Sequence, residues 1–73
     1  MIVDRRQFGR NFKRILKEKH LTCLKLEEIT GISHTSMTNW TSGGTTCRAD
    51  TLAILAKTLN VSADDLLEGV VKW

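Results

Sequence analysis

Apolar residues along this chain recur at helical spacing, and strict apolar/polar alternation never lasts long enough to suggest a sheet. Asp4 and Gln7 have the form of a capping box, and Phe8, Phe12, Ile15 and Leu16 follow at i, i+4, i+7 and i+8. This predicts a first helix at about 5–19, with its basic side chains on the outer face. Thr22 is placed to cap a second helix, with Leu26 and Ile29 turned inward, ending near Thr30 before Gly31. Ser33 is placed to cap a third, running through Met37 and Trp40 to a stop at Gly43-Gly44. After a polar loop, 44–48, a fourth helix is expected at about 49–59, with Leu52, Leu55, Ala56 and Leu59 as its buried stripe. Ser62 and Asp65 form another capping-box pattern, opening a short fifth helix that ends near Gly69. The expected fold is therefore all-α, a compact five-helix bundle occupying residues 1–73 as one domain.

Size and charge narrow the functions open to such a bundle. A chain of 73 residues and 8.2 kDa buries a modest core and has little room to shape and dry a pocket, which argues against most enzymes. No nucleophile has an identifiable His and acid beside it, and nothing resembles a phosphate loop or a metal pair. Neither a cofactor nor a small-molecule ligand is expected. The net charge is +3 and unevenly placed. Residues 1–20 carry seven basic and two acidic side chains, whereas residues 21–73 carry four and six. Such a surplus suggests an acidic partner without identifying it. The basic residues of the first helix read either as a phosphate-steering surface or as an ordinary solvated face, and the second is favoured. Cys23 and Cys47 cannot make a multi-bridge framework, so two free thiols in a reducing compartment are expected, with a redox switch as the sharper alternative. Cys23, Cys47, His20 and His34 offer zinc-type atoms at no recognised ligand spacing, and no metal site is expected. No stretch has the length to cross a membrane, and the N-terminus lacks the apolar run of a signal peptide, so an intracellular location is expected.

The third predicted helix carries the most chemistry. Gly31 sits where the chain must reverse within a few residues, Ile32 can staple the next helix, and Met37 and Trp40 plug it against its neighbours. What remains outward is His34, Thr35, Ser36, Thr38, Asn39, Thr41 and Ser42, an uncharged face rich in hydrogen-bonding groups. Such a face can be set into a major groove and read base edges. At this point the sequence resembles the Cro and phage-repressor (Xre-type) helix-turn-helix family. The resemblance rests on Leu21, Thr22 and Leu26, then Gly31-Ile32-Ser33, Met37, Trp40 and Gly43, and continues through Leu52, Leu55-Ala56, Leu59, Val61-Ser62 and Leu66-Leu67. It covers about residues 5–68.

The resemblance implies a five-helix domain that binds double-stranded DNA, usually as a homodimer on a palindromic or near-palindromic operator. It implies a transcriptional regulator, with repression the simplest mechanism, in the cytoplasm of a bacterial cell or phage-infected host and associated with the nucleoid. Carried over position by position, it implies base contacts from His34, Thr35, Thr38 and Asn39. An amide at Asn39 suits bidentate pairing with adenine. Phosphate contacts are implied for Thr22, Cys23, Ser33, Ser36, Thr45 and Arg48, from hydroxyls, backbone N–H groups and helix N-termini as much as from charge. Val70, Val71 and Trp73 read either as cover for the protomer's own core or as a dimer patch, and the patch is favoured.

Four positions depart from the family's pattern. Cys23 stands where a Gln commonly caps the second helix and touches phosphate, Glu27 replaces a small Ala where the second and third helices come close, and Cys47 replaces a loop proline. Leu16 and Thr41 replace an Arg–Glu pair, both members together, so that no charge is left unpaired. Glu27 is expected to bend outward or to open the interhelical angle. His20, where the family usually has glycine, is read as a C-terminal cap. The lost Gln and the uncharged third helix support a rival reading, a helix-turn-helix module that has lost DNA binding and serves protein–protein interaction.

Overall fold

Four of the five helices, all but the fourth, begin at a capping side chain. The computed structural model describes residues 1–72, in the order β1 (Ile2–Val3), α1 (Arg5–Glu18), α2 (Cys23–Thr30), α3 (His34–Thr41), α4 (Ala49–Leu59), α5 (Ala63–Leu67) and β2 (Val71–Lys72). Asp4 accepts from the Gln7 N–H at 3.1 Å, Thr22 from Lys25 at 3.1 Å and Ser33 from Thr35 at 3.2 Å. Ser62 and Asp65 complete a reciprocal box, each side chain accepting from the other's backbone N–H at 3.2 and 3.0 Å. The Asp4 box is only half made, because the Gln7 side chain turns to Asn11 instead, donating to its Oδ1 at 2.8 Å.

The helix ends are closed by left-handed residues. His20, at φ 57°, donates its N–H to Lys17, and Leu21 donates to Leu16, the paired bonds of a Schellman motif. His20 does cap α1, through its backbone. Gly31, at φ 77°, ends α2 with its N–H on the Glu27 carbonyl at 2.8 Å, and the reversal into α3 follows at once.

One core unites the helices. Phe8, Phe12, Ile15 and Leu16 of α1 meet Leu26, Met37, Trp40, Leu55, Leu59 and Leu66, all buried. Trp40 stands edge-on to Phe8 and Phe12, with ring centroids 6.3 and 5.7 Å apart, a geometry favoured by the ring quadrupoles. These contacts fix α3 by its inner face. Burying side chains of this size contributes about 1.5–3 kcal/mol each. Leu52 and Ala56 are only partly buried beside Leu55 and Leu59. Ile29 differs from expectation: it is 54% exposed, and Leu26 is the one buried side chain of α2. The helical angle of Ile29 is close to that of Leu26, but no neighbouring element among the described residues covers it.

The five expected helices are joined by a ribbon that the sequence pattern did not indicate. β1 and β2 pair antiparallel, Ile2 opposite Lys72 and Val3 opposite Val71, and the Asp4 N–H continues the ladder onto the Val70 carbonyl at 2.6 Å. Val70 is 4% exposed and belongs to its own protomer's core, so it leaves the proposed dimer patch. Val71 stays exposed on the ribbon, and Trp73 lies outside the described residues.

Candidate nucleic-acid interface

The outward face of α3 is set by what its inward face must bury. With Met37 and Trp40 in the core, His34, Thr35, Thr38 and Asn39 are exposed along the other side. The Asn39 carboxamide and the Thr35 hydroxyl make no hydrogen bond among the described residues, so both keep their full capacity for a partner. Thr38 differs, since its hydroxyl donates to the His34 carbonyl at 2.9 Å. It retains lone pairs and a methyl group. No charged residue lies on this helix.

The expected phosphate-binding residues fall into two groups. Ser36 of α3, with Thr45 and Arg48 of the following loop, lines one open groove of about 290 Å³, shared with the base-reading candidate Asn39 and with Ile32, Trp40 and Cys47. Arg48 holds the N-cap position of α4 without capping it, and no carboxylate pairs with it among the described residues. Thr22 and Ser33 lie outside that groove, at the starts of α2 and α3. Each spends a lone pair on a cap and keeps its O–H, the atom a phosphate oxygen requires. Cys23 follows Thr22 and packs its side chain partly against the core. Burial pushes both thiols above their ordinary 9.0, so Cys23 and Cys47 are neutral at physiological pH.

Glu27, expected to bend outward or to open the interhelical angle, lies at the surface beside the start of α3. Its carboxylate reaches across the turn, accepting from the His34 backbone N–H at 2.8 Å and approaching the ring Nδ1 at 3.1 and 3.2 Å. The backbone hydrogen bond, then the ring contact, holds the Glu27 carboxyl below its ordinary 4.5. The N-terminus of α3 is thus capped twice, by Ser33 and by Glu27. The sequence marked Glu27 as a departure, yet gave no sign of this role. Where an Arg–Glu pair is absent, the Thr41 hydroxyl turns back to the Thr38 carbonyl at 2.9 Å.

Two further residues that hold the helices around α1 were not singled out in the sequence. Gly9 lets α1 cross the last turn of α3 backbone to backbone: a Cβ there would overlap the Trp40 carbonyl oxygen and stand 3.0 Å from Thr41. Asn11, 2% exposed, donates to the Leu66 and Glu68 carbonyls at 2.9 and 2.8 Å and ties the end of α5 to α1. On the outer face of α1, Arg10 pairs with Asp4 and Arg14 with Glu18, each at 3.7 Å. Such exposed pairs contribute little.

Comparison with known proteins agrees with this geometry. The family of Cro/C1-type HTH DNA-binding domains matches over residues 11–71, which includes both helices of the turn and all the groove-lining residues. No curated protein and no solved structure matches the chain. Among the described residues no helix is long and apolar enough to cross a membrane. Because the match spans most of the chain, and because α2, the Gly31 reversal and α3 fall within it, the protein belongs to the Cro/C1-type HTH DNA-binding domain family.

Proposed function

We propose that the protein is a sequence-specific transcriptional regulator that binds an inverted-repeat operator as a homodimer, with α3 in the major groove. The observation that carries this reading is the division of α3: Met37 and Trp40 are locked in the core, while His34, Thr35, Thr38 and Asn39 face outward with hydrogen-bonding capacity to spare. Thr22, Cys23, Ser33, Ser36, Thr45 and Arg48 take the flanking phosphates, largely through hydroxyls and backbone amides. Few cations take part, so the salt dependence is shallow, because its slope follows the number of phosphates neutralised. The basic side chains of α1 remain a solvated face. The whole of residues 1–73 acts as one binding unit, located with the nucleoid in a bacterial cell or phage-infected host. Repression by blocking polymerase is the simplest mechanism for it.

The homodimer is supported by the ribbon, where Ile2, Val3 and Val71 are exposed at 64, 58 and 47% on a two-stranded sheet whose outer edges are unpaired. Asn39→Ala tests the recognition role. On the protein's own site the substitution costs about 1–3 kcal/mol and relaxes the preference at one base pair, while binding to unrelated duplex is unchanged. An unaltered preference removes Asn39 from the reading set. A second reading, a protein-interaction module without DNA affinity, draws on the exposed Leu24 and Ile29 of α2 and on the uncharged α3. It predicts no selective retention of any duplex.

A further inference from the structure

We propose that Glu27 is a positioning residue for recognition: it fixes the His34 imidazole with its proton on Nδ1, so that Nε2 faces outward as an acceptor for a base amino group. The proposal rests on the reading of α3 as the groove-facing helix. An ionised carboxylate can only accept hydrogen bonds, and both Glu27 oxygens lie 3.1–3.2 Å from Nδ1. A lone pair on Nδ1 would face two anionic oxygens, so the proton sits there. The same carboxylate accepts from the His34 backbone N–H at 2.8 Å, which ties ring and main chain to one anchor. Across the ring, Nε2 has no partner among the described residues, and the side chain is half exposed.

In the neutral imidazole the nitrogen without a proton is an acceptor. Phosphate oxygens, guanine N7 and O6, adenine N7 and thymine O4 are themselves acceptors and do not suit it. The hydrogen-bond donors of the major groove are the amino groups of adenine N6 and cytosine N4. The clamp therefore narrows the base contact implied for His34 to an amino-bearing base edge. It also makes Glu27, which touches no DNA in this scheme, a determinant of base preference.

The test has one arm in the free protein and one on DNA. Nitrogen NMR of the His34 ring, taken where the imidazole is neutral, shows a protonated Nδ1 and a bare Nε2. In Glu27→Gln, whose amide still accepts from the His34 N–H but also offers a donor, the two tautomers mix. A wild-type ring with its proton mainly on Nε2 overturns the proposal. For the second arm, the base pair read by His34 is located with His34→Ala on the selected duplex. The adenine or cytosine there is then replaced by purine or pyrimidin-2-one, which lack the amino group. Wild type loses about three- to tenfold in affinity, the range of one net hydrogen bond. Glu27→Gln loses less than wild type on this replacement, with unchanged affinity for unrelated duplex. Equal binding of wild type to both duplexes overturns the proposal even though DNA binding stands. Failure to select any duplex removes the DNA reading and this proposal with it.

Discussion

Replacing Gly9 by alanine isolates the contact that sets the distance between α1 and the end of α3. Alanine is the better helix former by about 1 kcal/mol, so on propensity alone the change stabilises α1. The structure opposes this, because the new methyl overlaps the Trp40 carbonyl oxygen and stands 3.0 Å from the Cα and carbonyl oxygen of Thr41. These are backbone atoms, which no rotamer change can move aside. The two helices must separate, loosening Trp40 between Phe8 and Phe12. Overpacking of this kind costs about 1–3 kcal/mol, and contact with a backbone argues for the upper half of that range. The net loss is then about 1–2 kcal/mol, or roughly 4–15 °C in Tm for a domain of this size. Urea and thermal unfolding followed by circular dichroism read it directly. Gly44→Ala is the matched control: its Cβ meets nothing nearer than 3.6 Å and its φ is not left-handed. A Gly9→Ala protein as stable as wild type, or more so, would refute the reasoning.

Three other outcomes follow from the same structure. Asn11→Leu leaves the Leu66 and Glu68 carbonyls without their donor, at a cost of about 2–4 kcal/mol, visible as a lower urea midpoint and faster hydrogen exchange at the end of α5. His20→Gly relieves the left-handed backbone at φ 57° and, after the extra entropy of the unfolded chain is subtracted, raises stability by about 0.5–1 kcal/mol. Glu27 titrates lower in the folded protein than in the unfolded chain, so its contribution is complete above the unfolded value and is lost as the pH falls through the folded one. The stability gap between wild type and Glu27→Ala is therefore full at neutral pH and closes in acid below 4.5; a gap independent of pH would contradict the Glu27–His34 contact.

What the sequence made legible was whatever is encoded locally. Asp4, Thr22, Ser33 and Ser62 each announce a helix within the next three residues, because a cap needs only a short side chain and the backbone N–H groups beside it. Met37 and Trp40, three apart, identified the inner face of α3, and the outward residues followed by subtraction. What escaped depends on residues distant in sequence. Two-residue strands are too short for alternation to register, and the ribbon exists because Asp4 and Val70 are brought together by the bundle. Asn11 looks like surface between Arg10 and Phe12, and only the carbonyls of α5, more than fifty residues on, account for an amide in the core. Gly9 offered a faint signal, since a mid-helix glycine lowers helix propensity without an evident local return. Ile29 was misplaced because periodicity sets an angle on a helix but does not say whether a neighbour covers it.

Selection of bound duplexes from a random DNA library, repeated at two salt concentrations, tests the central claim most directly. The account predicts an inverted repeat whose half-sites are centred about one helical turn apart, enriched at both salts because few cations enter the interface. Weak, salt-sensitive retention with no common sequence would contradict it and leave α3 as a surface for protein partners.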